Sequence, residues 1–191
     1  MFEMKNAITI IAIPLLALLS IGCGTGERLE KLMAALDKAE ISLGEAIDIA
    51  SAEVPDGTVV EAELEVEDGE PYYEVEVLVG DLVKEVSIDP QSGEVLSIED
   101  ELEGGRVNAP CPGSISVAEA IVKAVEAAGG SAVEVELEGC EFEVQVVKGD
   151  EMLEAEVEPD GTVTEIEESD EDDEDDDNDL DDDEEDEKEE E

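Results

Sequence analysis

The sequence predicts an α+β protein with two repeated units, each one helix packed on an antiparallel β-meander, plus a disordered acidic C-terminal tail. Three observations carry that reading. First, Ser42-Leu43-Gly44-Glu45-Ala46-Ile47 returns later in the chain as Ser116-Val117-Ala118-Glu119-Ala120-Ile121. Tyr73-Glu74-Val75-Glu76-Val77 returns as Phe142-Glu143-Val144-Gln145-Val146, with Gly80-Asp81 echoed by Gly149-Asp150 and Ile98 by Ile166. The offset between the copies shortens slightly along the way. A spacing that drifts only through small deletions marks a duplicated structural unit. Second, both copies open with S-x-x-E, the capping box that starts a helix. Third, strict apolar/Glu alternation follows each helix, the period of a half-buried strand.

Taken in order, the chain begins with an address. Ala7 to Leu19 is an apolar run broken by Pro14 and preceded by Lys5 and the terminal amine. A spanning helix needs about 20 apolar residues, so this shorter run fits a signal-peptide core. It ends Ser20-Ile21-Gly22-Cys23 and resembles a bacterial lipoprotein signal, with Ser20 standing where Leu is usual. That resemblance implies cleavage after residue 22, a lipidated Cys23 and a membrane anchor. The alternative is an ordinary secretory signal with an incidental cysteine. Two or three acyl chains supply the double signal that stable anchoring requires. Gly24 stands where an Asp would retain some lipoproteins at the inner membrane, which favours the outer membrane in a bacterium with two. Residues 23–40 are then the lipidated cysteine, a Gly-Thr-Gly tether and a short amphipathic helix. Leu29, Leu32, Met33 and Leu36 fall at helical spacing there, and the helix is expected to cap the first core.

The first unit, 41–99, places Leu43, Ile47 and Ala50 on the buried stripe of its helix, which Pro55-Asp56-Gly57 stops. Val60, Ala62, Leu64 and Val66 face inward on one strand. Tyr73, Val75, Val77 and Val79 do so on the next, after a turn at Asp68-Gly69-Glu70-Pro71. Leu82 to Ile88 and Glu94 to Ile98 complete the meander around Asp89-Pro90-Gln91-Ser92-Gly93. Beyond a linker, 100–114, the second unit, 115–167, repeats the order. Its helix carries Ile121, Val122 and Val125; its strands carry Val133-Val135-Leu137, Phe142-Val144-Val146, Met152 to Val157 and Val163 to Ile166. Connections this short exclude parallel crossovers. Units of about 55 residues bury little alone, so they should pack on each other or carry a covalent staple.

The S-x-x-E-A-I run, the alternating strand pair and Asp89-Pro90-x-x-Gly93-Glu94-Val95 together resemble a PepSY domain. The second unit carries the same features with Glu158-Pro159-Asp160-Gly161 in place of the longer turn. Domains of this family occur in propeptides of thermolysin-type metallopeptidases and in exported or envelope-bound bacterial proteins. The resemblance implies an extracytoplasmic, non-catalytic module for which peptidase inhibition or regulation is proposed. It implies no catalytic residues and no cofactor.

Composition sets the exclusions. The chain has 60 acidic against 9 basic residues, a net charge of −51, and no His. Such a surface repels phosphate backbones, so nucleic acid is excluded as a partner. Without His there is no Ser-His or Cys-His nucleophile pair and no His-ligated metal. The outward strand positions are nearly all Glu, including Glu61, Glu63, Glu74 and Glu76. The run from Glu167 to Glu191 is almost wholly acidic and includes Asp175, Asp176 and Asp177. These are the candidate ligands for divalent cations, which take hard oxygen donors. The plainer reading is a solvated acidic face and, over 168–191, a self-repelling disordered tail.

Outside the cytoplasm two further cysteines favour a disulfide. Cys111 precedes the second cap and Cys140 lies at the following hairpin, where a helix antiparallel to its strand brings the two together. The functional expectation is an exported, lipid-anchored, non-catalytic binding or regulatory protein whose partner is an envelope peptidase or another protein. The alternative is a low-affinity divalent-cation binder, most simply of calcium, at the cell surface.

Overall fold

The computed structural model describes residues 25–101 and 109–169. The element order is α1 (Thr25–Leu36), α2 (Leu43–Glu53), β1 (Thr58–Glu67), β2 (Glu70–Val79), β3 (Leu82–Ile88), β4 (Val95–Glu101), α3 (Val117–Ala128), β5 (Ser131–Glu138), β6 (Glu141–Lys148), β7 (Glu151–Val157) and β8 (Val163–Glu168). The expected signal segment, Cys23 and almost all of the acidic tail lie outside the described residues, as does most of the linker.

Each unit is one helix on a four-stranded antiparallel meander. Both helices start on a complete capping box. Ser42 Oγ accepts from the Glu45 amide and Ser116 Oγ from the Glu119 amide, while each Glu side chain accepts from its cap's amide. α2 buries Leu43, Ala46, Ile47 and Ala50. α3 buries Val117, Ala120, Ile121, Ala124 and Ala128, and leaves the expected core residue Val122 52% exposed. Small alanines, not Val122, face the sheet because they let the helix axis approach the strands. α3 ends at Gly129 and Gly130. At Gly130 (φ 121°) a Cβ would collide with the carbonyl of Val147, so the close turn onto β5 requires glycine.

The two meanders are not separate layers. β1 pairs with β5, giving one eight-stranded antiparallel sheet in the order β4-β3-β2-β1-β5-β6-β7-β8. The seam has three rungs, Glu61↔Glu136, Ala62↔Val135 and Glu63↔Glu134. Each flanking strand carries a bulge at the matching place, between Val59 and Glu61 in one unit and between Ala132 and Glu134 in the other. Ala62 and Val135 occupy corresponding positions, so a local twofold axis runs through that pair, perpendicular to the sheet. The bulge also breaks the expected alternation at Val60: Val59, not Val60, pairs with the inward Val77.

A twofold of this kind keeps α2 and α3 on the same face, where they touch across the seam. Beneath them lie Ala62, Leu64, Tyr73, Val75, Val77, Val86 and Ile88 of one unit and Val135, Phe142, Val144, Val146, Ala155 and Val157 of the other, all nearly inaccessible to water. The segment entering each helix is tied to the turn between the last two strands, Ile41 N–H donating to the Pro90 carbonyl and Ile115 N–H to that of Pro159. The β1–β2 turn is Asp68-Gly69 alone, shorter than expected, since Glu67 already pairs with Glu70. Cys111 and Cys140 form a disulfide, with their Cα atoms 5.3 Å apart.

Candidate functional site

Strand alternation sends Glu61, Glu63, Glu74 and Glu76 to the face opposite α2 and α3, with Glu134, Glu136, Glu143 and Gln145 beside them across the seam. The helix α1 reaches this carboxylate face. Arg28, near its start, donates through Nη2 to Glu134 Oε2 at 2.8 Å and through Nη1 to Gln145 Oε1 at 3.2 Å. Both acceptors alternate with the buried residues Val135, Val144 and Val146, so the guanidinium meets them from this side. α1 does join the apolar core, burying Leu32 and Ala35. The expectation that it caps the first unit alone is amended: it precedes the first unit in sequence, yet its arginine fastens to the second.

The acidic face is not fully solvated either. Burial pushes the Glu61 carboxyl up to about 8, with repulsion from Glu76 and Glu136 adding to it. Burial and the charges of Glu65 and Glu134 raise Glu63 to about 7, against the pull of Arg28. Glu74 rises to about 8 through burial and the Glu85 and Glu65 charges, and Glu143 to about 7 through burial and Glu138. At the rim the Tyr72 hydroxyl donates to Glu65 Oε2 at 2.5 Å. Four carboxyls that titrate near neutrality on one face form a surface whose charge depends on its surroundings, and that surface accepts guanidinium.

Of the candidate cation ligands, Glu61, Glu63, Glu74 and Glu76 share the centre of this face on two paired strands. Among the described residues no group of three or more acidic or thiol side chains is arranged to hold a metal ion. Asp175, Asp176 and Asp177 lie outside the described residues, as does Cys23. No described helix is long and apolar enough to cross a membrane.

Two other surfaces come from the fold. The terminal strands β4 and β8 each leave one edge unpaired in the sheet order. β4 exposes Leu96 and Ile98, 57% and 44% accessible. Ile98 stands opposite the inward Val86, and Leu96 sits in the irregularity just before it, between the Val95 and Ser97 rungs. Between the start of α2 and α3 a groove of about 540 Å³ is lined by Leu36, Ile41, Leu43, Tyr73, Ile121 and Val125. Sequence reasoning missed the groove, because it exists only where the two units meet.

Residues 40–99 match the family model described as peptidase propeptide and YPEB domain, PepSY, so a PepSY domain is present there. That span covers α2 and β1 to β4, and the second unit repeats its architecture. PepSY domains are non-catalytic modules. No curated protein matches the chain at a significant level. One solved structure, a provisionally assigned lipoprotein from Clostridium difficile 630, shares 19% identity and a TM-score of 0.44, covering 68% of this chain and 94% of that one.

Proposed function

We propose that this chain is an extracytoplasmic, lipid-anchored regulator that binds an envelope peptidase of the thermolysin type and restrains it without being an enzyme itself. The observation that carries the reading is the PepSY match over residues 40–99, on a unit that the chain then repeats. In this reading the signal is 1–22, lipidated Cys23 leads into α1, units 41–99 and 115–167 are joined by the 100–114 linker, and the acidic tail follows.

The contact surface is the open edge of β4, inside the matched span. Its unpaired N–H and C=O groups accept an extended strand, and the exposed Leu96 and Ile98 side chains add apolar contact beside it. Such an added strand occupies a peptidase's substrate channel or its mobile flank without offering a cleavable geometry. Titrating the full chain into a thermolysin-type peptidase, with a small chromogenic peptide as reporter, should give saturable inhibition. Leu96→Lys together with Ile98→Lys should raise the inhibition constant at least tenfold. Absence of inhibition by the unmodified chain overturns the reading. The anchor is tested separately: metabolic labelling with an alkyne fatty acid should mark the wild-type protein and not Cys23→Ala, and an unlabelled wild type removes the lipid.

A further inference from the structure

The local twofold axis relates not only strands but also the residues that Arg28 grips. Glu134 follows the β5 bulge as Glu61 follows the β1 bulge, and Gln145 stands opposite Glu134 as Glu76 stands opposite Glu61. Glu61 and Glu76 are thus the symmetry mates of Arg28's two acceptors. The bulge residues beside the two pairs, Val60 and Val133, correspond as well, and both are buried.

At the Glu134–Gln145 pair the structure shows what this arrangement holds. A single guanidinium spans the two strands, donating one N–H to each side chain. The spacing of a directly opposed strand pair matches the fork of an arginine, which a point-charge ammonium does not reproduce. Where the second unit offers a carboxylate and an amide, the first offers two carboxylates on the same backbone geometry. Around them stand Glu63, Glu134 and Glu136 on the strands at the seam, with Glu74 and Glu85 on the outer side. Their repulsion makes a cation at Glu61 and Glu76 more valuable than one at the pair that Arg28 occupies.

We propose that the Glu61–Glu76 pair is a second guanidinium-binding site, the counterpart in the first unit of the seat that Arg28 fills in the second. Two sources carry that chemistry. One is the chain itself, whose arginines are Arg28 and Arg106, the latter outside the described residues. The other is an arginine of a separate polypeptide.

Carboxyl-carbon NMR titration of the full chain, labelled at glutamate, reads the site and separates the sources. If the chain supplies the group, Arg106→Gln should move the Glu61 and Glu76 midpoints up by roughly half a unit or more while Glu143 stays put. Arg106→Lys, which keeps the charge but loses the fork, should restore them only in part. If the group comes from outside, N-acetyl-arginine amide added to the wild-type chain should shift Glu61 and Glu76 saturably. N-acetyl-lysine amide at the same concentration and ionic strength should shift them several-fold less. Either pattern supports the site and names its source. Midpoints indifferent to Arg106→Gln, in a chain whose Glu61 and Glu76 also fail to distinguish the two amides, overturn it. Shifts that are equal at Glu143 overturn it too, because general screening would then be the cause.

Discussion

Tyr73 and Phe142 sit at the same place in the two units, each fully buried and each opposite the corresponding strand residue, Leu64 or Leu137. Tyr73 sends its hydroxyl to the carbonyl of Ile41 at 2.9 Å, tying down the segment that enters α2. Phe142 has no hydroxyl, and the segment that enters α3 is held instead by the Cys111–Cys140 disulfide. One mechanical task, fixing the chain just ahead of the helix, is met by a hydrogen bond in the first unit and a covalent bond in the second. The second unit also has the shorter first hairpin, with β5 and β6 of 8 residues each against 10 for β1 and β2. A smaller unit with less apolar burial gains more from a bond that restricts its unfolded chain.

That contrast is open to measurement, beginning with its largest part. Cys111→Ser with Cys140→Ser should lower stability by about 3–4 kcal/mol, the chain-entropy value for a loop of this length. Because the sheet is continuous through β1–β5, urea should still give one transition, and two resolved transitions would mean that the seam is not cooperative. Mass spectrometry without reductant checks the bond itself.

The pH response comes next and should divide the units unequally. A carboxyl raised in the folded state favours the protonated form there, so the fold binds more protons than the unfolded chain between the two pKa values. The contributions of Glu61, Glu63, Glu74 and Glu143 are therefore fully present below about 4.5 and are lost as pH rises through about 7 to 8. Three of these four lie in the first unit, so Glu→Gln at 61 or 74 should stabilise the protein at pH 8.5 and do little at pH 5. Glu45, Glu119, Asp89 and Asp160 act in the opposite sense. Their pKa values are depressed by hydrogen bonds at the helix caps and turns, and their support is lost as pH falls below the usual carboxylate range. Thermal melts from pH 3 to 9 should show a maximum on the acid side of neutrality.

Tyr73→Phe makes the first unit resemble the second at one atom. It should cost about 1 kcal/mol, since it leaves the Ile41 carbonyl without its donor. The reverse change, Phe142→Tyr, buries a new hydroxyl and should be no gain. Urea melts of the two variants side by side check both. The smallest contrast is at the caps. Ser42→Ala and Ser116→Ala should each cost about 1 kcal/mol, because the two boxes have the same geometry. A gap between them larger than the error would show that one helix leans harder on its own start.

The legible part of this fold is what short-range patterns determine. S-x-x-E marked both helix starts, and alternation marked the strands from β1 to β8 in chain order, with the third strand at Leu82–Ile88 as expected. What alternation cannot carry is which two strand edges meet, and so the β1–β5 seam was not foreseen; Ala62 and Val135 look like any other inward residues. The stripe of Leu29, Leu32 and Leu36 says that α1 is packed, but not on what. Its hold on the second unit became visible only through Arg28 and its partners. Beside that arginine Glu63 reads as half-buried rather than solvated, and the groove between α2 and α3 follows from the seam. Val122 was assigned to the core from its size, whereas the sheet selected the alanines beside it.

The seam has a consequence for how such a molecule arises. A polypeptide half this long, folded alone, would leave β1 open along its length, and its own copy turned about Ala62 would fit that opening without redesign. Joining two such halves in a single polypeptide converts a concentration-dependent encounter into a permanent neighbour with fixed stoichiometry. Once joined, the halves are released from identity: one can surrender its phenol and take up cysteines, and the other can keep the carboxylate that its sibling exchanged for an amide.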